Sequence, residues 1–217
     1  MKGREPVTCP IPTSCSWALK KILECREIVQ NVGGWKNTTT GTNYSIKKVY
    51  TTMQGTYPKV ARRRVICNNK DSPRSIFVTW LAALNRLSTT NRLISWGIQC
   101  TAQCVLCSSV AESAEHLFFD CSFSSDIWKK ILGVLGIRRS SFGFSQELSI
   151  VAYQSRKTGA TATLYAMCFA EAVYAIWLHR NLLIFSKTSK TPIQLVKEIL
   201  FKVSCRCYEE LSSKLLM

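Results

Sequence analysis

The chain has 217 residues, 47% of them hydrophobic and 10% aromatic, which is enough apolar side chain to fill a real core and to exclude wholesale disorder. Its 29 Lys and Arg stand against 13 Asp and Glu, a formal charge of +16 that exceeds what solubility requires and points to a polyanionic partner, nucleic acid first. Eleven cysteines, an odd number in a chain of this size, argue for free thiols in a reducing intracellular compartment rather than a disulfide framework.

The first twelve residues carry charges and prolines but no apolar run, so no secretory signal is expected. Thr13 to Ser16 offer N-caps for an amphipathic helix with Trp17, Leu19, Ile22, Leu23 and Val29, which stops before Gly33-Gly34. From Val32 to Thr42 the Gly, Asn and Thr content reads as a loop and a boundary. Ser45 then caps a helix in which Ile46, Val49, Tyr50 and Met53 form one buried face, closed by Gly55 and Pro58. Lys59 to Lys70, with Arg62, Arg63 and Arg64, reads as a basic loop with a short strand at its end. After Ser72-Pro73 a helical face gathers Ile76, Phe77, Trp80, Leu81, Leu84 and Leu87, and Thr89 or Thr90 caps a short helix that stops at Gly97.

Further on, Ser124 or Ser125 precedes a helix with Ile127, Trp128, Ile131, Leu132 and Leu135, closed by Gly136. Residues 138–159 are polar, basic and without period, and read as a linker. Ala160 to Ile184 is strongly apolar yet holds Glu171, His179, Arg180 and Asn181, so a buried helix is expected there and no membrane span. Thr191-Pro192-Ile193-Gln194 announces a last helix through a capping box, and Leu195, Val196, Ile199, Leu200 and Val203 supply its buried face.

The chemistry lies between Cys104 and Cys121, where the residues run C-x2-C-x8-H-x4-C. Cys104, Cys107, His116 and Cys121 are four soft or borderline ligands that suit one tetrahedral zinc ion. The gap between Cys104 and Cys107 lets a tight turn aim both thiolates at one point, and the spacing of His116 and Cys121 fits the first turns of a helix running on towards Trp128. With all four positions filled the zinc is structural and has no open site for a substrate. Cys100 is close enough in sequence to replace Cys104. Glu112 and Glu115 flank the histidine; either one of them accepts its free ring N–H or both are solvated.

Catalytic signals are lacking. The three aspartates, Asp71, Asp120 and Asp126, do not form the carboxylate cluster that two-magnesium chemistry needs, and no GxGxxG, GxxxxGK[ST] or HExxH is present. His179 reads as a partly buried helical histidine, and Cys205 and Cys207 as ordinary thiols. No enzyme activity is expected.

These residues together resemble the zinc-binding domain that follows the reverse transcriptase in plant non-LTR (LINE-type) retrotransposons. Tyr44-Ser45-Ile46-Lys47-Lys48-Val49-Tyr50 is similar to that family's YSVKSAY, and Ile76 to Trp80 to its KVxxFxW. Asn85-Arg86-Leu87-Ser88-Thr89, Arg92-Leu93 and Gly97-Ile98 follow its NRLPT…RL…RGI, and the CxxC, Glu112, His116-Leu117-Phe118, Cys121 and Trp128 keep its order. Ile176-Trp177, Arg180-Asn181 and Phe185 resemble the IWxxRNxxxF helix found downstream in such polyproteins. Pro73-Arg74-Ser75 and Ser88 depart from the usual residues. No polymerase Asp-Asp turn and no RNase H carboxylate set accompanies the resemblance, which therefore implies a detached or degenerate retroelement remnant.

The expected fold is mainly α, a small helical domain built around a structural zinc site and followed by a C-terminal helical pair. Its expected parts are an N-terminal helical segment 1–34, a reverse-transcriptase-type zinc-binding domain 35–137, a linker 138–159 and a helical hairpin 160–217. The expected function is a nucleic-acid-associated module that contacts RNA or single-stranded DNA through Lys59, Arg62, Arg63, Arg64 and Arg74. Trp96 either stacks on bases or belongs to the core. The alternative is a protein-interaction or purely structural module, with the C-terminal helices docking a partner. Nuclear localisation follows from the resemblance alone.

Overall fold

The structure, a computed structural model, describes residues 10–31, 33–34, 39–40, 43–54, 60, 63–66, 71–157 and 159–207. It is mainly helical, and the chain divides into two compact units, Met1–Lys59 and Val60–Met217. That division falls inside the segment 35–137 expected to form one domain.

In the first unit the expected opening helix is two, α1 (Trp17–Glu24) and α2 (Arg26–Asn31), interrupted at Cys25. Leu23 and Val29 are their buried residues. Thr39–Thr40 (β1) pairs antiparallel with Asn43–Tyr44 (β2), Thr39 opposite Tyr44. Helix α3 (Ile46–Gln54) starts at Ser45, whose hydroxyl accepts the Lys48 N–H at 3.3 Å. Its apolar stripe is not the buried face expected: Ile46, Tyr50 and Met53 are all exposed. Periodicity reports which side chains share a face, but burial also needs a neighbouring surface, and none among the described residues covers this one. Gly55 and Pro58, and the strand expected near Lys70, lie outside the described residues.

The second unit holds α4 (Arg63–Ile66), α5 (Pro73–Ala83), α6 (Thr90–Ser95), α7 (Ser122–Val134), α8 (Phe144–Gln154), α9 (Ala160–Ser186) and α10 (Pro192–Ser204). Helix α9 is its centre and packs against α5, α7, α8 and α10. Every residue from Leu164 to Val173 is buried, so the helix is apolar all round because it has neighbours all round. By length and composition alone α9 could cross a membrane; in this fold most of its apolar stretch is inside the unit.

The face of α5 that meets α9 is Ser75, Val78, Thr79 and Ala82, not the large apolar face expected. Small side chains let the two backbones approach, and Ser75 donates a 2.5 Å hydrogen bond to the Glu171 carboxylate of α9. Phe77, Trp80 and Leu84 are consequently turned outward. The stretch 138–159, read as a linker, contains α8. There Phe144, Leu148, Val151 and Ala152 are buried, and the fully buried Glu147 receives the Arg139 guanidinium at 2.7 Å, the Phe142 N–H at 3.1 Å and the Tyr165 hydroxyl at 3.1 Å. A carboxylate without solvent must be met by donors, and meeting it folds the polar run back onto the core. Helix α10 begins as expected: the Gln194 N–H donates to Thr191 Oγ1 at 3.3 Å, and the Thr191 N–H to Gln194 Oε1 at 2.8 Å.

Candidate metal centre

The four expected ligands come together in the second unit. Cys104 to Cys107 forms a tight turn in which the Ser108 N–H donates to the Cys104 carbonyl at 2.7 Å, with Ser108 in the left-handed region at φ +55°. A bridge between Gln103 and Ala111 closes its base, with the Cys104 N–H on the Val110 carbonyl at 2.8 Å and the Glu112 N–H on the Ala102 carbonyl at 2.8 Å. Both thiols of the first pair thereby face the same point.

The second pair is presented differently from the expectation. His116 and Cys121 do not lie on one helix that continues to Trp128; the chain makes a wide turn over 116–120, the Cys121 N–H bonding the His116 carbonyl at 2.7 Å, and α7 restarts at Ser122. The break is at Phe118 and Phe119, the latter at φ +79°. Both rings are fully buried: Phe118 packs on Phe144 at 5.2 Å, and Phe119 on Trp128 at 5.1 Å and Phe169 at 5.6 Å. A regular helix could not send two consecutive rings into the core while keeping His116 and Cys121 on the metal side. The strained backbone is held by the Ser124 hydroxyl, which accepts the Phe119 N–H at 3.0 Å and donates to the Cys121 carbonyl at 3.1 Å.

One ligand atom from each of Cys104, Cys107, His116 and Cys121 lies within 4.8 Å of all the others. Cys104 Sγ and Cys121 Sγ are 4.0 Å apart, and Cys107 Sγ is 3.3 Å from His116 Nε2. Bonds of about 2.3 Å to sulfur at tetrahedral angles give edges of roughly 3.8 Å, so the donor set has the size and chemistry of a zinc cage. Cys104 and Cys121 are buried, while Cys107 and His116 are half-buried. The hydrogen bond to Cys121, then burial, holds Cys104 far above the usual thiol range, and the same bond pulls Cys121 down. A divalent cation held by these side chains would favour both thiolates.

The remaining sequence candidates separate clearly. Cys100 is exposed, its sulfur directed to the Thr90 carbonyl at 3.8 Å, and it is not in the cluster. Neither flanking glutamate receives His116. Glu115 accepts the Ser145 N–H at 2.8 Å and its hydroxyl at 2.7 Å. Glu112 is fully buried and receives Arg180 through Nη2 at 2.7 Å and Nε at 3.1 Å, together with the Thr90 N–H at 2.9 Å. Sequence reasoning missed this pair, which ties the metal loop to α9; an arginine inside an otherwise apolar helix was the available signal. Of the basic candidates, Arg63 and Arg74 are exposed, Arg64 lies on α4, and Lys59 and Arg62 fall outside the described residues. Trp96 is 55% exposed, with the Arg92 guanidinium 4.7 Å over its ring, so it is not a core residue.

No curated protein and no solved structure matches the chain. Residues 44–128, which run from β2 into α7 and include all four clustered side chains, match the family described as zinc-binding in reverse transcriptase, and it is to that family that this segment is similar.

Proposed function

We propose that the chain is a structural zinc-binding, nucleic-acid-associated module derived from a retrotransposon polyprotein, of the kind found in plant LINE-type elements, without polymerase or nuclease activity of its own. The observation that carries this reading is the closed set of three thiols and one imidazole inside the matched segment, with no ligand position left for a substrate. One zinc ion would fix the loop and expose no reactive centre.

The charge of +16 supports a polyanion as partner, and exposed Arg63 and Arg74, with Trp96 available to stack, support RNA or single-stranded DNA. Lys59, Arg62 and Arg64 extend that basic run in sequence. The buried carboxylates Glu112, Glu147 and Glu171 are each engaged by donors, which supports the absence of magnesium chemistry. None of the nine described cysteines is in a disulfide, in keeping with a reducing intracellular setting, and the retroelement origin would place the chain in the nucleus.

The test is a salt titration of single-strand binding. Affinity should fall with a log-log slope of roughly 0.7 per phosphate neutralised, and Arg62→Ala, Arg63→Ala and Arg64→Ala together should weaken it with the fold intact. Binding indifferent to salt would refute the electrostatic reading. A second reading, a protein-interaction module, is favoured by exposed Phe185 on α9 and exposed Ile193 and Phe201 on α10. It predicts that the triple arginine variant changes nothing while substitutions at those three residues abolish capture of a protein partner.

A further inference from the structure

Helix α5 is apolar on two opposite sides. The side with Ser75, Val78, Thr79 and Ala82 is buried against α9. On the other, at helical spacing, stand Arg74, Phe77, Trp80 and Leu84, all exposed; Phe77 is 54% and Trp80 37% accessible, and their rings lie 5.9 Å apart. The turn that leaves α5 leads directly to α6, where Arg92 Nη1 donates to the Leu87 carbonyl at 3.3 Å while its guanidinium covers the exposed Trp96 ring. A pair of accessible rings and then a third, Trp96, thus occur in succession, the pair beside Arg74 and the third under Arg92.

Charge says what such a surface fits. From Ile28 to Ala111 the chain contains a single carboxylate, Asp71, and it is buried. Arg74, Arg86 and Arg92 form no ion pair among the described residues. A face meant for a protein helix gains nothing from excluding acids over so long a stretch, whereas a face meant for a polyanion does. Stacking on rings further requires bases whose faces are open, which a duplex does not offer.

We propose that the outer face of α5, followed in the chain by Arg92 of α6 and Trp96 at its C-terminal end, seats a single-stranded nucleic acid. Phe77 and Trp80 stack on successive bases, and Arg74 neutralises a phosphate. This deepens the nucleic-acid reading given above and rests on it.

The experiment uses the full chain, zinc-loaded under reducing conditions. A labelled oligothymidylate is titrated as a single strand and as its duplex with oligoadenylate, at several salt concentrations. Wild type should bind the single strand more tightly. Phe77→Ala with Trp80→Ala should weaken it by about tenfold or more with the salt slope unchanged, since stacking is not an ionic term. Trp80→Phe should retain most of the affinity, and Arg74→Ala should lower the slope by roughly 0.7. Circular dichroism and zinc content establish that the variants fold.

If wild type binds and the double variant binds equally well, the nucleic-acid reading stands and this seat is wrong. If wild type binds neither strand nor duplex at low salt, both fall. Concentration-dependent self-association that the double variant loses, with strand binding unchanged, would assign the face to a second copy and overturn the proposal.

Discussion

Between Ile98 and Ser113 only Cys104 and Glu112 are buried, and the chain there is shaped by a turn, one bridge and the ligand side chains. Helix α9 buries every residue from Leu164 to Val173 and needs no metal to do so. The loop has almost no apolar area with which to offset its conformational entropy, while the helix has more than its own amphipathicity would supply. On the proposed reading a metal ion orders the first region, and packing orders the second. The two meet at Glu112 and Arg180, 0% and 4% exposed, where the loop passes its geometry to the helix.

The sharpest way to break that comparison is at the joint. Arg180→Met leaves the Glu112 carboxylate buried and unpaired, and should cost about 3–5 kcal/mol in denaturant unfolding. Adding Glu112→Gln should recover a good part of that loss. If the two losses simply add, the residues are not coupled and the loop does not depend on α9.

Chelation separates the regions next. After zinc removal, amide exchange at Ser108 and Glu112 should accelerate well before exchange within Leu164–Val173, because only the first group relies on the ion. Equal acceleration would mean that the two regions open as one. A smaller effect is confined to the helical side. Thr191→Ala removes one half of the capping box and should lower stability by about 1 kcal/mol while leaving zinc affinity unchanged.

His179 gives a pH-dependent contrast. It is 1% exposed, stacks on Phe123 at 5.1 Å, and has no partner at either ring nitrogen among the described residues. Burial, helped by the Lys190 charge and opposed by that of Glu198, holds its pKa below the ordinary value. The folded state thus binds this proton less readily than the unfolded state, so the stability this causes is present above about 6.5 and is lost as pH falls through the folded value. His179→Leu should flatten that acid loss in thermal unfolding. An unchanged profile would assign the loss to other groups. Smallest of all, Lys130→Ala breaks the exposed bridge to Asp126 and should change stability by no more than about 0.5 kcal/mol.

The four clustered side chains were legible in the sequence because metal ligation is a local pattern: the residue types and their spacing within one short segment carry it. The capping box at Thr191 was legible for the same reason. Harder to read were features set by what lies opposite. On α5 the residues that share a face are readable, but which face is covered depends on α9, whose contact with the side of Ser75 and Ala82 has no signal in α5 alone; the stripe on α3 is covered by nothing among the described residues. Helix α8 was read as linker although Phe144, Leu148 and Val151 keep helical spacing, because the polar residues around them mask the stripe. The pairing of Glu112 with Arg180 spans 68 positions, and no local pattern encodes it.

The most direct test is the metal content of protein purified under reducing conditions, for wild type beside His116→Ala, with thermal unfolding of each. The account predicts about one zinc per chain in wild type, and in the variant loss of the ion together with a large drop in stability. A wild type that is well folded and cooperative without any bound metal would contradict it, leaving the three thiols and the imidazole as neighbours with no ion to hold.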